Sequence, residues 1–341
     1  MLKLGIIGAG TIFQNQIVVL GEQSATYKVV SILDIDKESL IRAEKILTDL
    51  GCQKEICLCS SFSQFIACDI DVVLIATPPR THFSLGLDCI RKGKHVLMEK
   101  PAVLSMSELD LLYEEAHKNG VIFHVAYHAA FSIEIQWFLR HQRLLCDKYN
   151  FEEVSNVYCG FYDPYVIHGT TQVGKEKLGG SYIDSGINAL SVCDKLIDLQ
   201  GFSTESSTFQ TDKNGIVIAS NTLFCDGRTR LCIDTGWTYG LNRKRTILQF
   251  RNHDNQLVFD HTNQRVILQR VMSKNEILQS FHSAKEIEPT AQNQVLFEDA
   301  SVSRLNRQYL GVFTDFSNAC TNGSMNRFDS ERIHKLLFEN S

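Results

Sequence analysis

Lys100 is the residue in this sequence whose setting points most clearly to chemistry. It follows a short apolar run, His95 to Met98, and lies within Glu99-Lys100-Pro101. An earlier apolar run from Asp71 to Ala76 is typical of a strand buried on both faces of a parallel sheet. Ligands of open α/β sheets bind beyond the carboxyl ends of the strands, so we expect Lys100 to face a ligand. The alternative is an exposed surface lysine, the usual state of a lone lysine.

A glycine-rich turn near the start of the chain has the pattern of a dinucleotide site. An apolar strand from Leu2 to Ile7 leads into Gly8-Ala9-Gly10-Thr11-Ile12-Phe13, and a helical pattern follows. In such sites the first glycine permits the turn, and the second lets the backbone approach a pyrophosphate at the helix N-terminus. The residues predicted to bind the cofactor are Gly8, Gly10, Thr11 and Ile12. Phe13 replaces the usual third glycine, so a turn without ligand remains an alternative.

Asp34 predicts which cofactor is preferred. It ends a second apolar strand, Lys28 to Leu33, 24 residues beyond Gly10. An acid at this separation accepts hydrogen bonds from the adenosine ribose and repels a 2′-phosphate. No arginine follows Asp34, which favours NAD over NADP, although Lys37 leaves NADP open.

A second polar cluster lies in the stretch Gly179 to Asn188, at the predicted start of a helix. Residues four apart share one face of a helix, so Asp184 and Asn188 are expected to project on the same side, towards the ligand that Lys100 faces. Both residue types also cap helices, and a structural helix start is the alternative.

These motifs resemble, in kind and order, the Gfo/Idh/MocA family of NAD(P)-dependent oxidoreductases. The resemblance rests on three stretches: Ala76 to His82, His95 to Pro101, and Gly179 to Leu190. It implies catalytic roles for Lys100 and Asp184, and a set of further cofactor contacts at Thr77, Pro78, His82, Glu99 and Lys100. For His82, packing at a helix start is an equal alternative.

Within the family, the stretches Asp184 to Leu190 and Tyr127 to Phe131 are similar to motifs of the aldose 1-dehydrogenases that oxidise L-arabinose and D-galactose. The resemblance implies oxidation of an aldose at C1 to the aldonolactone. Asn188 stands where many members have a histidine, and an amide cannot accept the proton. We therefore predict Lys100 and Asp184 as a coupled proton-accepting pair, with Asn188 bonded to the reacting hydroxyl. Candidates to bind the sugar are Lys100, His128, Asp184, Asn188 and Trp237, and more weakly Trp137.

Two other functions remain open. A dehydrogenase of another polyol or carbonyl substrate would keep the chemistry and change the pocket. A non-catalytic, NAD-binding, sugar-responsive regulator would keep only the fold; the presence of Glu99-Lys100-Pro101 and Asp184 favours an enzyme.

Composition excludes several partners. The chain has 341 residues and a net charge of −5, so no global positive field would attract nucleic acid. The basic stretches Arg91 to Lys94 and Arg243 to Arg245 are interpreted as solvated faces. No apolar run approaches the ~18 residues of a membrane span, and the N-terminus predicts a strand rather than a signal sequence, so a cytoplasmic protein is expected.

The eleven cysteines include no CxxC pair and predict reduced, mostly buried thiols. Cys57 and Cys59 are expected on one face of a strand. Neither cysteines nor histidines have the sequence spacing of a zinc site, so no metal is predicted.

The expected architecture is an α/β protein of two domains. Residues 1–125 predict a doubly wound parallel sheet of the Rossmann type. Residues 126–341 predict an α+β domain with an open, mainly antiparallel sheet that binds the substrate. The family resemblance implies a homodimer or homotetramer formed through that sheet.

Overall fold

The computed structural model describes residues 1–51, 56–240, 242–283 and 293–339. The chain forms two compact units. The first unit combines Met1–His128 with Leu305–Glu331, and the second combines Ala129–Arg304 with Arg332–Ser341.

The first unit contains a six-stranded parallel sheet. Its strands are β1 (Leu2–Ile7), β2 (Tyr27–Leu33), β3 (Cys57–Cys59), β4 (Val72–Ile75), β5 (His95–Glu99) and β6 (Phe123–Ala126). Their order across the sheet is β3-β2-β1-β4-β5-β6, the doubly wound order of a Rossmann fold. Every residue of β4 is buried, as its unbroken apolar sequence predicts. The predicted fold of the N-terminal part is confirmed.

The second unit contains an open sheet of eight strands. The strands that follow β6 in the chain are β7 (Val154–Tyr162), β8 (Val166–Ile167), β9 (Thr170–Thr171), β10 (Ser203–Thr211), β11 (Val217–Cys225), β12 (Arg230–Gly236), β13 (Arg243–Phe250), β14 (Asn255–Asp260), β15 (Arg265–Arg270) and β16 (Asn293–Glu298). The sheet order is β10-β11-β12-β7-β13-β14-β15-β16, while β8 pairs with β9. All neighbours in the large sheet are antiparallel except β12 and β7, so the predicted mainly antiparallel sheet is confirmed.

The α-helices are α1 (Phe13–Glu22), α2 (Lys37–Asp49), α3 (Phe62–Ile66), α4 (His82–Arg91), α5 (Met106–Lys118), α6 (Ile133–Tyr149), α7 (Ser181–Ile197), α8 (Lys274–His282), α9 (Arg304–Asn322) and α10 (Arg327–Phe338). Local signals start several of them: the Asp36 carboxylate accepts hydrogen bonds from two N–H groups of α2, and Ser105 caps α5. Among the described helices, none has both the length and the apolar character needed to cross a bilayer.

The two faces of the large sheet pack against different helices. Helix α7 packs on β7, β11 and β12. On the opposite face, Tyr162 and strands β13 to β15 form a core with Ile277 and Phe281 of α8. The central strands are therefore covered on both sides.

The predicted domain division needs one correction. It assigned all of residues 126–341 to the second domain, but Leu305–Glu331 belongs to the first unit. Long-range bonds hold it there: Tyr27 Oη donates to the Phe313 carbonyl at 2.6 Å, and Tyr113 Oη donates to Ser330 Oγ at 2.9 Å. Because these partners are some 200 or more residues apart in the chain, periodicity could not reveal them.

Candidate functional site

The glycine turn of the first unit has one glycine that the fold requires and one that leaves space. Gly8 has φ +103°, and a Cβ there would lie 2.6 Å from the Ala76 carbonyl oxygen. A Cβ on Gly10 would meet no atom within 4 Å. Beyond the turn, Thr11 is exposed, Ile12 is half-buried, and the start of α1 has no capping side chain. The backbone at Gly10 and the first N–H groups of α1 therefore fit a pyrophosphate.

Asp34 is held directly over this turn. Its Oδ2 accepts a hydrogen bond from the Ala9 N–H at 2.8 Å, and its Oδ1 accepts one from the Asp36 N–H at 2.9 Å. Each carboxylate oxygen has a second lone pair, and the residue is only half-buried. The predicted ribose acceptor is thus fixed in orientation by the turn that fits the phosphates.

His82 stabilises the turn after β4 from within the core. Its ring is buried, with Nε2 2.7 Å from the Thr77 carbonyl oxygen and Nδ1 2.9 Å from that of Pro101. Burial lowers the pKa of this imidazole. The predicted direct contact of His82 with a cofactor is not supported, because both ring nitrogens face backbone. Thr77, half-buried, and Pro78, exposed, stay on the surface of the turn.

Glu99 is a buried carboxyl at the end of β5. Its Oε1 accepts hydrogen bonds from Gln16 Nε2 at 2.8 Å and from Tyr309 Oη at 2.7 Å, and the residue is buried. Burial raises the pKa of this carboxyl, although the Tyr309 hydroxyl and Lys100 oppose the shift. The carboxyl is thus enclosed by its own unit and holds the end of β5, where Lys100 follows, half-buried. The predicted cofactor contact of Glu99 stays a prediction.

His128 lies beside the same aromatic residue. Its ring stacks on Tyr309 with centroids 5.4 Å apart, and its Nδ1 lies 3.0 Å from Gln308 Oε1. Gln308 and Tyr309 belong to α9. Their surrounding sequence has only a helical pattern, so no motif marked either residue.

In the second unit, two glycines prepare the start of α7. Gly179 and Gly180 have φ of +84° and +92°, and a Cβ on Gly180 would lie 2.8 Å from the Val217 carbonyl oxygen. Asp184 lies in the first turn, and Asn188 Nδ2 donates to its carbonyl oxygen at 3.2 Å. Asn188 Oδ1 is buried and accepts no hydrogen bond from any described residue. The two predicted residues are thus one helical turn apart; their pairing with Lys100, which belongs to the first unit, stays a prediction.

A buried lysine lies near Asp184. Lys244 Nζ donates to Asp163 Oδ1 at 2.6 Å and to Asn242 Oδ1 at 2.9 Å. Ser185 Oγ donates to the other oxygen of Asp163 at 3.2 Å. Burial lowers the pKa of Lys244, and the charges of Asp163 and, more weakly, Asp184 oppose that shift.

The interpretation of Arg243 to Arg245 as a solvated face is therefore wrong. The Lys244 side chain is 12% exposed, and that of Arg245 is 2% exposed and bonded to Asp260 at 3.2 Å. The physical reason is that β13 is an interior strand, paired on both sides with β7 and β14. Residues on both faces of such a strand are packed.

Arg304 adds a second cation to this charged region. Burial lowers the pKa of its guanidinium, and the nearby carboxylates of Asp163, Glu134 and Asp260 counter that shift. Its Nη1 is buried and donates to no described residue. Tyr165, whose pKa is raised by burial and by Asp163 and Asp184, lies in the same region. No sequence motif marked Asp163, Tyr165, Lys244 or Arg304.

The two tryptophans have packing roles. Trp237 is fully buried and meets Tyr165 edge to face, with centroids 5.3 Å apart, while its Nε1 donates to no described residue. Trp237 therefore supports Tyr165, and its predicted contact with a sugar stays a prediction. Trp137 stacks between His141 and Phe297 at 4.7 and 5.2 Å. It is already covered by these rings.

The comparisons with known proteins agree with this arrangement. Residues 2–127 match the Gfo/Idh/MocA profile, described as an oxidoreductase family with an NAD-binding Rossmann fold. Inositol 2-dehydrogenase 4 of Saccharopolyspora erythraea is 35% identical over 29% of this chain and 28% of its own length. The NADP-dependent scyllo-inositol 2-dehydrogenase IolW of Bacillus subtilis is 28% identical over 37% of this chain and 33% of its own. The chain thus spans about a third of the length of these curated relatives.

Solved structures extend the likeness to the whole fold. KijD10, a 3-ketoreductase from Actinomadura kijaniata crystallised with NADP and TDP-benzene, superposes with a TM-score of 0.76. The match covers 98% of this chain and 95% of that one at 15% identity, a level that establishes the fold alone. Residues 2–127, which contain the glycine turn and Asp34, are thus similar to the NAD-binding Rossmann domain of the Gfo/Idh/MocA oxidoreductase family.

Proposed function

We propose that this protein is an NAD(P)-dependent oxidoreductase that oxidises a hydroxyl group of a sugar or polyol. The observation that carries the proposal is the hydrogen-bonding capacity left over in the second unit. The Lys244 ammonium has three N–H donors, and described residues accept hydrogen bonds from only two of them. Arg304 Nη1 and Asn188 Oδ1 are buried without a partner among them.

Buried polar groups in native proteins are almost always paired, so unpartnered ones favour a ligand that supplies the missing bonds. The set offers donors from Lys244 and Arg304 and an acceptor from Asn188. A hydroxyl both donates and accepts, and a polyol presents several of them. The relatives named above as inositol dehydrogenases act on such a molecule, which supports the same class here.

The oxidation removes a hydride from the carbinol carbon and a proton from its hydroxyl group. A bound nicotinamide would supply the acceptor for the hydride that leaves the carbinol carbon. The hydroxyl proton passes to Lys100 or Asp184, the ionisable residues to which we assign acid–base work. Asn188 Oδ1 accepts a hydrogen bond from the hydroxyl and orients it.

The finer proposal is oxidation of an aldose of the D-galactose or L-arabinose type at C1, with an aldonolactone as the product. It rests on the similarity of Asp184 to Leu190 to that subgroup. NAD is the proposed preferred cofactor because the Asp34 carboxylate, held beside the glycine turn, would repel a 2′-phosphate.

The test is reduced-nicotinamide absorbance with NAD and NADP, each offered with L-arabinose, D-galactose, D-glucose, D-xylose and myo-inositol. Reduction with an aldose or a polyol, abolished in Lys100→Ala, is the expected result. Turnover of myo-inositol alone would replace the aldose proposal and keep the class. If none of these five substrates is turned over while NAD binds tightly in calorimetry, the proposed substrate class fails in favour of another substrate or a regulator.

We also propose that the protein is a homodimer or homotetramer assembled through the eight-stranded sheet. Light scattering coupled to gel filtration tests this directly. A monomer at micromolar concentration would contradict it.

A further inference from the structure

Three cysteines come together at the edge of the Rossmann sheet. Cys57 and Cys59 lie on β3, the outermost strand, and Cys68 follows α3. Their Sγ atoms all lie within 4.8 Å of one another, and those of Cys57 and Cys59 are 3.7 Å apart. Residues two apart on a strand face the same side, which accounts for the first pair. The short helix α3 then returns the chain to bring in the third thiol.

The spacing of these sulfurs fits a metal better than a disulfide for the strand pair. Two thiolates on one tetrahedral Zn²⁺, with Zn–S bonds of about 2.3 Å, are about 3.8 Å apart. Disulfides most often join Cα atoms about 5.5–6 Å apart and reach about 6.8 Å, whereas strand residues two apart are about 6.7 Å apart with parallel side chains, near the upper limit of that range. The sulfurs of Cys57 and Cys59 are therefore better placed to bind one metal ion than to form a disulfide with each other.

We propose that Cys57, Cys59 and Cys68 bind a thiophilic d¹⁰ cation, with Zn²⁺ as the probe ion. Three thiolates supply a trigonal face, and solvent completes the tetrahedron on the exposed side of Cys57. Cys59 is buried, but Cys57 is exposed and Cys68 half-buried, so an ion can reach the three sulfurs from solvent.

The surroundings of the cluster are consistent with this site. Ser31 Oγ lies 3.4 Å from Cys59 Sγ, where its hydroxyl can donate to a thiolate. A metal ion binds the thiolate form of cysteine and not the thiol. Metal binding then releases protons, and affinity is expected to increase with pH.

The site also adjoins the cofactor acid. The Asp34 N–H donates to the Cys59 carbonyl oxygen at 3.3 Å, so a bound ion would fix the strand that holds Asp34. No cysteine spacing in the sequence indicated this site, because Cys68 joins the other two only through the turn into α3.

The experiment titrates the whole protein, reduced with a phosphine and freed of metal, with Zn²⁺ against a chromogenic chelator. One equivalent should bind, and Cys57→Ser and Cys68→Ser should each weaken binding about tenfold or more. Cys320→Ser, which changes a half-buried cysteine of the same unit outside the cluster, should leave affinity unchanged. Cd²⁺ should produce a thiolate-to-metal ultraviolet band that diminishes in the same two variants.

Three results would overturn the site. The first is failure of the reduced protein to bind Zn²⁺. The second is binding that none of the cluster variants weakens, and the third is a Cd²⁺ complex without the thiolate band. If two of these cysteines are recovered as a disulfide and the reduced protein takes up no zinc, the cluster is a redox pair instead. Cys59→Ser serves only as a supporting variant, because its buried position affects folding.

Discussion

The two units of this protein use their interior polar groups in opposite ways. In the first unit, Asp34, His82 and Glu99 are bonded to backbone groups or neutral side chains of the same unit. In the second, the half-buried side chains of Lys244 and Arg304 lie among carboxylates and keep donors that no described residue uses. The first unit therefore offers a ligand mainly its backbone, and the second offers side chains.

This difference matches the ligand that we propose for each unit. A dinucleotide pyrophosphate is bound by N–H groups, whose geometry depends on the turn and not on side-chain identity. The side chains of the first unit serve to fix that turn. A sugar is distinguished by the positions of its hydroxyls, and this requires side chains placed individually.

The largest effect that would sharpen this comparison is expected from Lys100→Ala. Lys100 is the exception in the first unit, a side chain to which we assign a chemical role. Its removal should decrease turnover by about two to four orders of magnitude and leave NAD affinity nearly unchanged. Steady-state kinetics and calorimetry measure the two quantities, with the exposed Lys92→Ala as the matched control. Loss of NAD binding in Lys100→Ala would remove the assigned role.

The glycine turn allows a matched test of backbone recognition. Gly8→Ala places a Cβ at positive φ against the Ala76 carbonyl, and should destabilise the protein by about 2–4 kcal/mol. Gly10→Ala meets open space, so the ligand-free stability should change by less than about 0.5 kcal/mol. Urea denaturation without ligand measures both.

The same pair separates folding from binding. The Cβ of Gly10→Ala occupies the space that we assign to the pyrophosphate, so NAD affinity should fall about tenfold or more although the fold is intact. Unchanged NAD affinity in Gly10→Ala would show that the backbone there does not approach the cofactor.

Side-chain recognition in the second unit is tested by Lys244→Met and Arg304→Met. Each removes a charged donor and should raise the sugar KM about 10- to 100-fold while the NAD dissociation constant is retained. Arg143→Met changes an exposed arginine of the same unit and serves as the control. Equal losses of sugar and NAD affinity would indicate a general structural effect instead.

The Lys244 assignment has a pH dependence of its own. Because burial lowers the pKa of Lys244, its ammonium loses a proton at a lower pH than an exposed lysine. The wild-type KM should therefore rise as the pH increases through that lowered pKa. Lys244→Met should lack this rise, and a persistent rise would assign it to another group.

A smaller effect is expected at Asp34. Asp34→Ala removes the ribose acceptor and the repulsion of a 2′-phosphate, so NAD affinity should fall about tenfold and NADP affinity much less. Asp36→Ala removes the cap of α2, about 1 kcal/mol of stability, without changing the ratio of the two affinities. Fluorescence titration of both reduced cofactors gives that ratio.

The sequence predicted the elements of both units well because their signals are local. Unbroken apolar runs indicated β4 and β5, and side-chain caps marked the starts of α2 and α5. The positions of Gly8 and Asp34 followed from a motif confined to one strand, one turn and one helix. These features depend on neighbours within a few residues.

The features that the sequence did not reveal depend on distant partners. Glu99 is enclosed by Tyr309 from the far end of the chain. Lys244 lies between two arginines, a pattern typical of an exposed stretch. It is packed because β13 is an interior strand of the sheet. Strand order and long-range packing leave no local pattern to read.

The smallest effect concerns Glu99, the buried carboxyl of the first unit. Because burial raises its pKa in the folded state, the folded protein holds this proton more tightly than the unfolded chain, where the ordinary value is 4.5. The resulting stability is complete below that ordinary value and is lost as the pH rises through the folded-state pKa, by at most about 1.4 kcal/mol per pH unit.

Glu99→Gln cannot ionise, so its free energy of unfolding should depend less on pH than that of the wild type in this window. Tyr309→Phe removes a donor that favours the charged carboxylate, and should shift the wild-type loss to higher pH. Urea denaturation over a pH series measures all three proteins. Equal pH dependence in wild type and Glu99→Gln would mean that Glu99 titrates normally. The hydrogen bonds from Gln16 and Tyr309 would then offset the effect of burial on the pKa of Glu99. The first unit would in that case hold a charged group in its interior as well as the second unit does.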